Sequence, residues 1–234
     1  MIEPFDAKQD LLDAPRSGGQ QRPRDAATLI LTRGERHLEV LMGRRAPGHV
    51  FMASKWVFPG GRIDPSDFRA GSSGDLSPET ERRLQMEMPA QRARALALTA
   101  VRETFEETGL ILGRAAPVAS VAGPWREYRQ AGALPELSSL NYIARAITPP
   151  GRTRRFDARF FTAPIDALRD PDNIVGSGEL DEIAWLPIED AMALDLPSIT
   201  RFVLAEALER RQNPDRPLPF VRMLHGQHRI ERRP

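Results

Sequence analysis

Glu103, Glu106 and Glu107 are the residues of this 234-residue chain best spaced to do chemistry. They lie in Arg102-Glu103-Thr104-Phe105-Glu106-Glu107-Thr108-Gly109-Leu110. On a helix, residues three and four apart are neighbours, so the three carboxylates share an arc of about 100°. Like charges so close are destabilising unless neutralised, and the economical neutraliser is a hard divalent cation, which takes oxygen ligands. A solvated acidic stripe is the ordinary alternative. The opposite face, with Leu98, Val101, Phe105 and Thr108, suits a core, so the carboxylates can point into a cleft. Arg102 stands four residues before Glu106, a spacing suited to holding a carboxylate in place, with a phosphate contact as the competing role.

Elements on both sides must position this helix. Gly109 is a natural C-cap, and apolar Leu110-Ile111-Leu112 follows. Upstream, Trp56 to Asp64 reads as a strand and turn containing Gly60-Gly61. Strands are expected over 26–32, 38–42, 118–122, 141–147, 156–162 and 183–186, with a hairpin turn at 33–36. Pro78 starts a helix capped by Ser77, and a second helix begins near Pro89 and runs into the acidic stretch. Further helices start at Pro187 and at Ser198, the latter ending near Arg211. Residues 1–25 read as a mobile arm, 26–211 as one domain, and 212–234 as an extension lying on the surface. The pattern is α+β, a mixed sheet with flanking helices.

Composition narrows the function classes. The formal net charge is +1, which argues against a general polyanion binder. With no cysteine, disulfides, thiolate metal sites and a cysteine nucleophile are excluded, and a reducing cytoplasm is compatible. No run is long and apolar enough for a membrane span, and residues 1–6 lack signal-peptide character.

Read together, Gly61, Asp67, Arg102, Glu103, Glu106, Glu107, Gly109 and Leu110 resemble the Nudix box, which runs Gly, five residues, Glu, seven residues, then Arg-Glu-aliphatic-x-Glu-Glu-x-Gly-aliphatic. Asp67 stands where the family has glutamate, and Thr104 where it has an aliphatic residue. Residues 68–101 separate the halves, thirty-four where the box has seven. An interruption there, inserting residues of about 68–94, is similar to the branch containing the peroxisomal coenzyme A diphosphatases. Phe51-Met52, residues 153–161 and residues 178–185 also resemble that branch. The resemblance implies a Nudix-type α/β/α sandwich with a helical insertion. It implies hydrolysis of a diphosphate bond in a nucleoside diphosphate derivative, with coenzyme A or acyl-coenzyme A as first candidates. Mg2+ or Mn2+ would be held by Glu103, Glu106 and Glu107, with the Gly61 backbone and Asp67 as further ligands. Members of this fold often pair, so a homodimer is compatible.

Around that centre, Glu179 and Glu182 are general-base candidates in a glycine-rich loop. Arg44, Arg45, Arg155 and Phe156 are candidates for gripping phosphate and stacking a base. Trp125, Trp185 and Tyr128 read as packing residues, and His225 and His228 as surface histidines. Two other readings stay open: a non-catalytic nucleotide-sensing domain, and an RNA-end diphosphate hydrolase, which the near-neutral charge disfavours.

Overall fold

A computed structural model describes residues 21–46, 48 and 54–233. In chain order the elements are β1 (Arg24–Arg33), β2 (Glu39–Arg45), β3 (Trp56–Val57), β4 (Gly60–Arg62), α1 (Pro78–Gln85), α2 (Ala90–Thr108), β5 (Gly113–Ala115), α3 (Arg126–Gln130), β6 (Ala133–Pro135), β7 (Asn141–Ile147), β8 (Phe156–Pro164), β9 (Leu180–Pro187), α4 (Ile188–Ala193), α5 (Ser198–Gln212), β10 (Leu218–Leu224) and β11 (Gln227–Arg233). A 3-10 turn, Ile165–Ala167, follows β8.

β1 organises the fold. Alternation sends Ala27, Leu29 and Leu31 into a core shared with α1 and α2, and Ile30 into a second core shared with α4 and α5. Burial on both faces makes this a sandwich of a mixed sheet between helices. On one side β1 pairs in parallel with β8, from Arg24↔Phe156 to Thr32↔Pro164. On the other it is shared between two antiparallel partners. β4 takes its first half (Ala26↔Arg62, Thr28↔Gly60), and β2 takes its end (Thr32↔Val40). β2 then diverges to pair with β3 and β9. The gap between β1 and β2 admits Gly60 and Gly61 close to the carboxylate end of α2.

Local signals act as read. Ser77 Oγ accepts from Thr80 N at 3.3 Å with Pro78 at the first helical position, and Gly109 closes α2 in the left-handed region at φ 74°. Thr104, buried where an aliphatic residue was expected, turns its hydroxyl back onto the Ala100 carbonyl at 2.8 Å.

Three expectations are corrected. The C-terminal segment is not a surface extension: β10 pairs in parallel with β7, buries Leu218, Phe220 and Val221, and carries β11 as the edge strand. Arg24 and Asp25 belong to β1 rather than to an arm; residues 1–20 lie outside the described residues, as do Phe51 and Met52. Residues 118–122 form no strand, and Val118 is exposed. The segment between the box halves packs into the fold: Leu84 and Met88 enter the core, and Thr80 donates to the Leu140 carbonyl at 2.8 Å. Among the described residues, no helix is long and apolar enough to cross a membrane.

Candidate active site

Asp67 and Arg102 form the buried anchor. The Asp67 carboxylate is fully buried and receives five hydrogen bonds: from Arg102 Nε (2.9 Å) and Nη2 (3.0 Å), Thr99 Oγ1 (2.8 Å), Trp125 Nε1 (2.9 Å) and the Asp64 N–H (2.9 Å). Its oxygens are committed to these donors, which corrects its expected place among the metal ligands. It also corrects Trp125, whose indole N–H fixes this carboxylate besides packing at 5.3 Å against Tyr128.

Arg102 passes that anchorage to the working face of α2. Its Nη1 donates to Glu103 Oε1 at 2.9 Å and to Glu106 Oε2 at 2.8 Å, and its Nη2 also reaches the Arg62 carbonyl at 3.0 Å. Burial opposes its charge, but Asp67, Glu103 and Glu106 outweigh burial and hold its pKa above the ordinary value. Arg102 therefore orients two carboxylates.

The glycine pair closes on the same carboxylates. The Gly60 N–H donates to Glu107 Oε2 at 3.1 Å. A Cβ on Gly60 would meet the Ala27 carbonyl oxygen at 2.6 Å, and one on Gly61 would overlap the Glu103 carboxylate. Gly61 has no positive φ, so the Glu103 carboxylate is what an alanine there meets first. Gly61→Ala is expected to fold normally and lower kcat/KM roughly 10- to 100-fold by displacing Glu103. Parent-like kinetics would show that the close approach is dispensable.

Negative charge here is under-compensated. Burial pushes Glu103 up to about 7, against the pull of Arg102; it also raises Glu106, and it lifts Glu107 well above the ordinary range despite Arg45. The folded metal-free protein thus binds protons that the unfolded chain releases. Stability contributed by protonated Glu103 is full below about 4.5 and is lost as pH rises through about 7, on the order of 2–3 kcal/mol. Thermal unfolding in chelator should show this fall for the parent and a flatter profile for Glu103→Gln. A parent stability that rises across the interval relative to that variant would contradict the charge imbalance.

Such a donor set, hard carboxylate oxygens that burial leaves short of positive charge, fits a divalent cation. Among the described residues, no three carboxylates or imidazoles already enclose a point, because Arg102 draws Glu103 and Glu106 toward itself. A cation here would take part of its shell from water and substrate oxygens.

Arg102 and Glu103 line a cleft of about 900 Å³, whereas Glu107 is buried behind Gly60 and Glu106 lies outside the lining. Its floor is one face of the sheet, with Thr28 and Ala26 from β1 and Phe156, Ala158 and Phe160 from β8. Ile199, Thr200 and Val221 form the far wall, and Arg45, Arg62, Arg152 and Arg154 supply positive charge. Of the residues expected to bind substrate, Arg45 and Phe156 line the cleft. Arg44 points away and pairs with Glu182 at 3.3 Å, so neither joins the site. Arg155 alternates away from Phe156 and donates to the Thr148 carbonyl at 3.1 Å. Glu179 does line the cleft, where Arg45 Nη1 meets it at 3.1 Å. His228 lines it too, whereas His225 sits exposed in the β10–β11 turn.

The residues that carry this geometry span most of the chain, and a NUDIX domain model matches residues 22–207. The chain belongs to the Nudix family. A NUDIX hydrolase from Alicyclobacillus acidocaldarius is similar in crystal structure, with 30% identity and a TM-score of 0.62 over 79% of this chain and 90% of that one. More distant are the NUDIX domain of Shewanella oneidensis NrtR, solved with ADP ribose (15% identity, TM-score 0.46, 82% and 90% covered), and a C. elegans Ap4A hydrolase (15%, 0.46, 81% and 98%). No curated protein matches the sequence. This Nudix enzyme is a hydrolase acting on pyrophosphate bonds, and Nudix hydrolases generally need divalent metal ions. The family match ends before β10, yet Val221 and His228 complete the Nudix cleft from beyond it.

Proposed function

We propose that this enzyme hydrolyses the diphosphate bond of a nucleoside diphosphate joined to a second group, with coenzyme A or an acyl-coenzyme A as the leading substrate. The observation that carries the reading is the juxtaposition of Glu103 and Gly60-Gly61 in a cleft with arginine and apolar walls, with Glu107 bonded to the Gly60 N–H just behind. The interrupted motif and the flanking stretches that resemble coenzyme A diphosphatases support the choice of substrate. Glu103, Glu106 and Glu107 are all present, which favours catalysis over sensing, and a small-molecule role in the cytoplasm goes with it.

Mg2+ or Mn2+ bound by Glu103, Glu106 and Glu107 would neutralise diphosphate oxygens and lower the pKa of bound water. The chain's own residues do the rest. Arg102 holds Glu103 and Glu106 in register, and the Gly60 N–H holds Glu107. Arg45 and Arg62 face the phosphates from the cleft wall. Water attacks one phosphorus, the bridging P–O bond breaks, and the water proton passes to a carboxylate. Glu179 Oε1, at the cleft beside Arg45, is the proposed acceptor.

A panel of coenzyme A, a nucleotide sugar, a dinucleotide cofactor and a dinucleoside polyphosphate, assayed with Mg2+ or Mn2+, tests the reading. Metal-dependent cleavage of at least one member, coenzyme A foremost, is expected. No turnover of any member would shift the assignment to a nucleotide-binding module.

A further inference from the structure

Strand register arranges the cleft floor in three rows. Gly60, Thr28 and Phe160 lie side by side nearest the carboxylates of α2. Two residues further along β1 come Arg62, Ala26, Ala158 and, on β7, Ala146. Two further again come Arg24 and Phe156, with Thr148 bonded to Phe156 through backbone and hydroxyl. All of these residues line the cleft. At about 3.3 Å per residue, the third row lies about 13 Å from the first.

The rows differ in chemistry. The first belongs to the diphosphate. The second is a floor of alanines, flat enough for a sugar or base between Phe156 and Phe160. The third is cationic: Arg24 stands there with Arg152 and Arg154 from the loop before β8, and Arg152 is buried in the wall. Arg24 and Arg154 are exposed, and neither has a carboxylate partner among the described residues. Two guanidinium groups with no carboxylate partner, lining the cleft beyond an apolar floor, suit an anion of the ligand.

We propose that Arg24, Arg152 and Arg154 form a subsite for a second phosphate, remote from the diphosphate, so that the preferred substrates carry a further phosphate on the nucleoside. The inference rests on the diphosphatase reading for its substrate and on strand register for its distance. It adds a role for residues at the far end of the cleft, where the reaction itself needs no charge.

The test uses the full chain and two readouts. Calorimetry in chelator compares adenosine 3′,5′-bisphosphate with adenosine 5′-monophosphate. Turnover in Mg2+ compares coenzyme A with its analogue lacking the 3′-phosphate. At least a tenfold preference for the extra phosphate is expected in both. In Arg24→Gln/Arg154→Gln the preference should collapse toward one, at an unchanged melting temperature, since both side chains are exposed. Equal affinities in the parent, or an undiminished preference in the variant, would overturn the subsite. Failure to turn over either substrate with the binding preference intact would support the subsite and sink the diphosphatase reading. Equal turnover of both with equal binding would do the reverse.

Discussion

Glu107→Gln is expected to lower turnover of a diphosphate substrate by about 10³-fold or more, while the protein stays folded and melts no lower than the parent in chelator. Glu107 is almost wholly buried, and its carboxylate accepts from the Gly60 N–H. Glutamine keeps the shape and that acceptor but removes the charge. Burial already disfavours the charge, so its loss costs the metal-free fold nothing. The same charge is what a divalent cation needs, and metal stabilisation of the transition state supplies several kcal/mol, with each 1.4 kcal/mol worth about tenfold in rate. Steady-state kinetics at saturating Mg2+, with melting curves in chelator and in Mg2+, separate the terms. Full activity would remove Glu107 from the metal site. Lost activity with a collapsed melting temperature would make its role one of packing.

Asp67→Asn should do the opposite, unfolding the enzyme before it impairs the chemistry. Asparagine removes the charge that faces Arg102 and turns an amide N–H2 toward donors from Arg102, Trp125 or Asp64. Breaking a buried ion pair on one side costs about 3–5 kcal/mol, which for a domain of this size lowers the melting temperature by about 10 °C. Asp67→Glu sharpens the test, because it restores the residue of the family pattern. The site is fully enclosed, so the extra methylene should cost about 1–3 kcal/mol with no gain in metal affinity. An unaltered melting temperature with tighter Mg2+ binding would put residue 67 back among the metal ligands.

Much of the carboxylate end of the candidate site was legible in the sequence because its signals are local. The spacing of Glu103, Glu106 and Glu107 needs only helical periodicity, and Ser77, Gly109 and the Gly60-Gly61 pair carry their own conformational rules. The cleft was less legible because it depends on strand parity. Arg45 lines it and Arg44 does not; Phe156 lines it and Arg155 does not. A one-residue shift in pairing would exchange each pair, and pairing is set by partners distant in sequence. The same reason hid β10: Leu218 to Leu224 becomes core only through β7, and the charges of β11 mask it as a surface segment. β5, α3 and β6 are too short to show a period. The role of Asp67 depended on Trp125, a partner that no local rule brings to it.

The most direct measurement follows the products of one turnover. Coenzyme A incubated with the enzyme and Mg2+ should yield two phosphate monoesters, adenosine 3′,5′-bisphosphate and phosphopantetheine, with no orthophosphate, and chelator should stop the reaction. Release of orthophosphate, or cleavage that persists in chelator, would contradict metal-dependent hydrolysis of the diphosphate bond at Glu103, Glu106 and Glu107.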